Sequence, residues 1–140
     1  MWILYAFLSA ITAALVAIFA KLGLQNIDST LATTIRSIIM AGFLVLTSLF
    51  LKKFDGFSFG VFGSREWILI ILSGIAGALS WLFYFLALKY GFASKVVAID
   101  RLSIVFVVIF AILFLGESFG WKTAFGAVLM ALGAILISWK

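Results

Sequence analysis

The 140-residue chain has no cysteine and no histidine. That excludes disulfides, thiolate chemistry, Cys/His metal sites and imidazole proton relays. It has no proline. Charge is scarce too: ten Lys and Arg and five Asp and Glu make up 11% of the chain, against 66% hydrophobic residues. A soluble domain carries about 25% charged residues. With mean hydropathy at +1.35, a water-soluble single core is excluded, and the chain reads as an integral membrane protein. The net charge of +5 would suggest nucleic acid in a soluble protein. Here it fits the Lys and Arg that flank membrane spans, and no nucleic-acid partner is expected. No metal cluster or phosphate loop is visible, and no cofactor is expected.

What is present is long uncharged runs, at 2–20, 37–51, 67–88, 102–116 and 123–139. Strand-type alternation is absent, so the spans are read as helices, which satisfy their own backbone groups in lipid. At about 20 residues per span, five spans fit, at about 2–21, 29–51, 65–90, 95–115 and 119–139, in one transmembrane domain over 1–140. Asp28, Ser64, Ser94 and Ser118 are read as N-caps of the second to fifth spans. The longest loop, Phe54 to Ser64, is rich in Gly and Phe and suits the membrane interface. Trp2, Trp67, Trp121 and Trp139 fall at span ends, as an aromatic belt requires; Trp81 falls mid-span. The first apolar run starts at Trp2 with no basic residue before it and exceeds a signal-peptide core, so no cleavable signal is expected.

An odd span count puts the termini on opposite sides. One side then carries Lys52, Lys53, Arg65 and Lys122; the other carries Lys21, Lys89, Lys95 and Lys140. Four face four, and only the deeper Arg36 and Arg101 tilt the balance. Orientation is weakly specified. Either details beyond this count fix one orientation, or both orientations insert and two copies pair antiparallel. The pair would form a ten-helix inverted repeat, a common transporter architecture.

Asp100, with Arg101 and Ser103, is the main candidate for chemistry. If the fourth span starts at Ser94, Asp100 lies about 9 Å along it, at ~1.5 Å per residue. Arg101 can reach towards the surface, whereas a short Asp cannot. An intramembrane carboxylate needs a partner. Arg36, Lys21 and Lys95 are the candidates. The pair is either a structural pin between spans or a gate or coupling site. In an antiparallel dimer two Asp100 copies would stand about 12 Å apart in depth, as alternating gates rather than a shared-proton pair. Ser73, Gly77, Ser80 and Tyr84 share one face of the third span, with Trp81 beside it. They are read as helix packing or as a pore wall with aromatic contacts for an organic solute. Tyr5, Ser9, Thr12 and Val16 form a comparable face on the first span. Gly126, Met130 and Gly133 on the fifth are read as a packing or dimerisation surface. Glu117 is read as an interfacial structural carboxylate.

Several stretches, in order, carry a resemblance. They are Phe19-Ala20-Lys21-Leu22-Gly23-Leu24 with Ile27-Asp28 and Ile35-Arg36-Ser37, then Leu79-Ser80-Trp81-Leu82-Phe83-Tyr84 with Ala87-Leu88. Ala93-Ser94-Lys95-Val96-Val97 follows, leading into Ile99-Asp100-Arg101-Leu102-Ser103, and then Phe114-Leu115-Gly116-Glu117 and Gly126-Ala127 with Gly133. The chain resembles the drug/metabolite transporter superfamily, in its EamA-type single-repeat, five-span bacterial and archaeal branch. The resemblance implies an all-α multi-pass protein of the inner membrane and a transporter of small organic solutes, not an enzyme. Longer relatives carry two inverted repeats around a central cavity. A lone repeat would dimerise to the same end, as an antiparallel, dual-topology homodimer working by alternating access. Carried over residue by residue, Arg36, Ser80, Trp81, Tyr84, Asp100, Arg101 and Ser103 occupy the branch's motif positions. Two departures stand out. Ala98 and Ser29 replace prolines of the related pattern, so kinks there are not expected. The central first-span Glu of the small multidrug resistance family is also missing. The competing readings are a non-transporting scaffold, one half of a hetero-oligomeric transporter and, weakest, a membrane enzyme.

Overall fold

The computed structural model describes residues 1–58, 60, 62–118 and 120–139. The elements are α1 (Trp2–Gly23), α2 (Ser29–Phe50), α3 (Ser64–Tyr90), α4 (Ala93–Asp100), α5 (Ser103–Phe110), a π-helical turn (Ala111–Leu115) and α6 (Trp121–Ser138). Among the described residues, five stretches are long and apolar enough to cross a membrane: α1, α2, α3, the composite Ala93–Leu115, and α6. No strand occurs among the described residues. The fold is all-α. Only 6% of each span's most apolar stretch is buried inside the chain. The rest, including Phe7, Ile38, Phe83 and Leu136, is exposed. In water that surface would be ruinous; in lipid it is the solvent-facing side.

Two compact units are present: Met1–Leu22 with Tyr90–Lys140, and Gly23–Lys89. In the first, α4 and α5 both pack on α6. Ala98 of α4 and Ala134 of α6 are buried, and such small side chains let helix backbones approach closely. Lys21 at the end of α1 donates from Nζ to the carbonyl of Gly91 at 2.8 Å, tying α1 to the turn before α4. The second unit holds α2 and α3. Here Leu24, Ser29, Thr33, Phe85 and Leu88 are buried.

Hydroxyls within the spans satisfy themselves. Thr12 donates to Leu8 O and Ser9 O, Thr33 to Ser29 O, Ser37 to Thr33 O and Ser138 to Ala134 O, at 2.7–3.0 Å. This back-bonding keeps polar groups paired where water is absent.

The helix ends correct part of the sequence reading. Asp28 does cap α2, accepting from Thr30 N at 2.9 Å and Leu31 N at 3.0 Å. The three serines do not act as caps. Ser64 is the first residue of α3, and the Gly63 carbonyl accepts from Trp67 N instead. The Glu66 carboxylate folds back over Gly63, so close that an added Cβ would stand 2.5 Å from Oε2. Ser94 lies inside α4, which follows Phe92 without a side-chain cap. The chain turns over only Gly91 and Phe92, so α4 begins sooner than its serine. α6 starts at Trp121 behind Gly120, past Ser118. Phe119 lies outside the described residues. The Phe-rich loop forms an aromatic chain: Phe54–Phe57 at 5.9 Å, Phe57–Phe62 at 6.0 Å and Phe62–Trp67 at 5.4 Å between ring centroids.

The larger correction concerns the fourth span. It is not one continuous helix. α4 stops at Asp100, and the amides of Leu102, Ile104 and Val105 donate to Ile99, Arg101 and Leu102, three residues back. The joint tightens to 3₁₀-type bonding without a proline. The span then widens into the π turn. Gly116, in the left-handed region at φ 68°, ends it, and Glu117 N reaches back to Ala111 O at 3.3 Å.

Candidate functional site

The second unit brings two of the sequence candidates together. Arg36 lies seven residues into α2, about 10.5 Å from its start. Trp81 lies nine residues before the end of α3, about 13.5 Å from it. The Arg36 guanidinium carbon sits 3.7 Å from the centre of the Trp81 ring and 5.5 Å from that of Phe85. The Trp81 ring stands edge-on to Tyr84 at 5.5 Å and 84°, and packs against Phe85 at 5.9 Å. Trp81, Tyr84 and Phe85 occur at i, i+3 and i+4, which places them on one helix face. They form an aromatic shelf, and Arg36 lies on it. A desolvated cation–π contact of this kind contributes about 2 kcal/mol.

That contact leaves Arg36 incomplete. Among the described residues, its Nη1 is the buried side-chain nitrogen or oxygen with no hydrogen-bond partner. Residues around it on α2 offer little relief, because Thr33, Thr34 and Ser37 each donate to the carbonyl four residues back. A charged group buried without a full set of partners is costly. Within its own unit the Arg36 guanidinium faces an aromatic ring.

The other α3 candidates are placed differently. Gly77 is half-buried, while Ser73 and Ser80 are exposed. In the first unit, Asp100 is half-buried at the end of α4, and Arg101 and Ser103 are exposed on either side of the joint. Lys21, another proposed partner of Asp100, is engaged at Gly91 O. Gly126 and Met130 line a groove of about 450 Å³ with Ile104, Val108 and Thr123, while Gly133 is half-buried. A second groove, of about 370 Å³, is bordered by Ile99, Leu102, Ala134 and Ser138 beside the broken joint. No group of three or more acidic, His or Cys side chains able to hold a metal occurs among the described residues.

Two features escaped the sequence reading. Phe85 completes the shelf; its spacing four residues after Trp81 was the available signal. The break after Asp100 had none beyond two adjacent charges in an apolar run.

At the mouth of α2, the Asp28 carboxyl is held below the usual range. The amide of Leu31 is the largest cause; desolvation opposes it, and the Thr30 amide and the positive charge of Lys89 add to the lowering.

The model of the EamA-like transporter family matches residues 1–139. A relative from Sinorhizobium sp, named "Uncharacterized transporter in cobO 3'region", is 40% identical over 141 residues, covering 98% of this chain and 96% of the relative. No solved structure matches.

Proposed function

Since the chain belongs to the EamA-like transporter family, we propose that it moves small organic solutes across the inner membrane by alternating access, as an antiparallel, dual-topology homodimer. The observation that carries this reading is the interrupted fourth span. A break beside an intramembrane carboxylate is the kind of discontinuity transporters use to build a site within the bilayer. Backbone that departs from α-helical bonding at this depth belongs where it borders a cavity or protein, not lipid. Two further features support the dimer. One repeat of five spans cannot form an inverted pair alone, and the charges flanking its spans are balanced between the two sides. In this reading Asp100 and Arg101 mark a gate. Arg36, Trp81 and Tyr84, with Ser73, Gly77, Ser80 and Ser103, line the solute path.

Purified protein in liposomes tests it, with a panel of ¹⁴C-labelled amino acids and carboxylic acids as solutes. Flux is expected for a subset. It should fall at least about tenfold, roughly 1.4 kcal/mol in the barrier, in Asp100→Asn and Arg36→Ala variants that keep the wild-type thermal transition. If both variants only unfold, these residues are structural pins. If no solute moves, the chain is a scaffold or half of a hetero-assembly.

A further inference from the structure

We infer that Arg36, laid on the Trp81–Phe85 shelf, receives the oxyanion of the solute, so that the transported molecule is an organic anion: a carboxylate or phosph(on)ate on an apolar or aromatic body. The inference rests on the transport reading for the word "transported"; the binding chemistry stands on the geometry alone.

Arg36 has a hydrogen-bonding demand that the chain leaves unmet at Nη1. Arg36 is set well inside a span, and its stack on Trp81 at 3.7 Å occupies one face of the guanidinium. Stacking uses the π-face and leaves the in-plane N–H donors to be met by acceptors. Nη1 is buried without an acceptor. The residue as a whole is only half-buried. A planar fork with free donors matches a carboxylate or phosphate in bidentate fashion. In a low-dielectric site such a charge-assisted pair is strong.

The chain offers few carboxylates of its own. It has five acidic residues. Asp28 accepts the amides of α2, and Glu66 folds over Gly63. Asp55 lies in the turn after α2, and Glu117 follows the left-handed Gly116. Asp100 alone lies deep within a span. It is thus the internal competitor for Arg36, and the test must address it. The shelf also defines the rest of the ligand. Trp81, Tyr84 and Phe85 present ring faces and edges beside the cation. An apolar or aromatic body attached to the oxyanion packs there better than a polar one.

The test is a titration of tryptophan emission in phosphatidylcholine bilayers with phenylacetate and benzylphosphonate, and with neutral phenylacetamide as the matched control. The two anions are expected to change the emission saturably, with phenylacetamide at least tenfold weaker, and Trp81→Phe is expected to remove the signal. Loss of a charge-assisted bidentate contact in Arg36→Gln weakens anion binding roughly 10- to 100-fold. Arg36→Lys, which keeps the charge but loses the fork, falls between. If Arg36→Gln does not fold, the anion-against-amide contrast in the wild type and the Arg36→Lys variant still decide. Equal binding of anion and amide, or no binding of either, overturns the inference. So does anion binding that appears only in Asp100→Asn, since Arg36 would then be held by Asp100. Loss of the anion signal on adding phosphatidylglycerol to the bilayer also overturns it, in favour of a lipid headgroup as occupant. Anion binding without flux leaves the site and removes the transport reading; flux of neutral solutes alone does the reverse.

Discussion

Asp28 shows how one side chain sets the start of a span. Its carboxylate accepts two amides at the head of α2, where the positive end of the helix favours an anion. The folded-state pKa lies below the ordinary aspartate value of 3.8. The ionised cap therefore contributes stability that is fully present above about pH 3.8 and is lost as pH falls through the lower folded value. Thermal melts in detergent should show Asp28→Ala destabilised at pH 7, with the difference shrinking below pH 4. Asp28→Asn, an equally good cap by geometry, should retain most of the stability and lose this acid-dependent part. At this same scale Arg36 and Trp81 were both legible in the sequence as residues out of place, a cation and an indole within apolar runs. Their contact was not. It depends on how α2 and α3 are rotated against each other, and the face read on α3, with Ser73, Gly77, Ser80 and Tyr84, does not say which helix it meets.

Among the elements, the composite span from Ala93 to Leu115 differs most from expectation. Charges and aromatics at the ends of apolar runs placed all five spans to within about two residues, because the cost of a charge in hydrocarbon sets those ends. Within the fourth span the same signal was ambiguous. Asp100 and Arg101 read as submerged helix residues, whereas the helix stops at them. No proline or glycine marks the joint, and 3₁₀ bonding leaves no compositional trace over so few residues. Amides around the joint are held by poorer geometry than those of a regular helix. Hydrogen exchange in nanodiscs should find Leu102, Ile104 and Val105 exchanging faster than residues at equal depth in α1, such as Ala10. The other end of the span depends on a single backbone angle. Gly116→Ala forces an L-residue to φ 68°, at a cost of about 1–2 kcal/mol, and should lower the thermal midpoint by several degrees. Gly116→Asn, which tolerates that region better, should cost less.

For the whole molecule, the decisive property is orientation. A chain without cysteine accepts one engineered thiol with no background, and Ser64, exposed at the head of α3, is a suitable position. Intact cells carrying Ser64→Cys would be treated with a membrane-impermeant thiol reagent and labelled again after permeabilisation. The antiparallel dimer requires about half of the molecules to react at each stage, the ratio that dual insertion of equal copies demands. Labelling of nearly all molecules from one side alone would rule that dimer out and direct attention to a partner chain. The Arg36–Trp81 stack also bears on how the protein is made. Arg36 leaves the ribosome about 45 residues before Trp81, a delay of seconds at roughly 5–20 residues per second. During that interval α2 must enter the translocon with its guanidinium bare, and an arginine at mid-span opposes insertion by about 2.5–3.5 kcal/mol. Insertion of the second helix carries that cost until the third arrives to cover the guanidinium, which couples the two spans during synthesis.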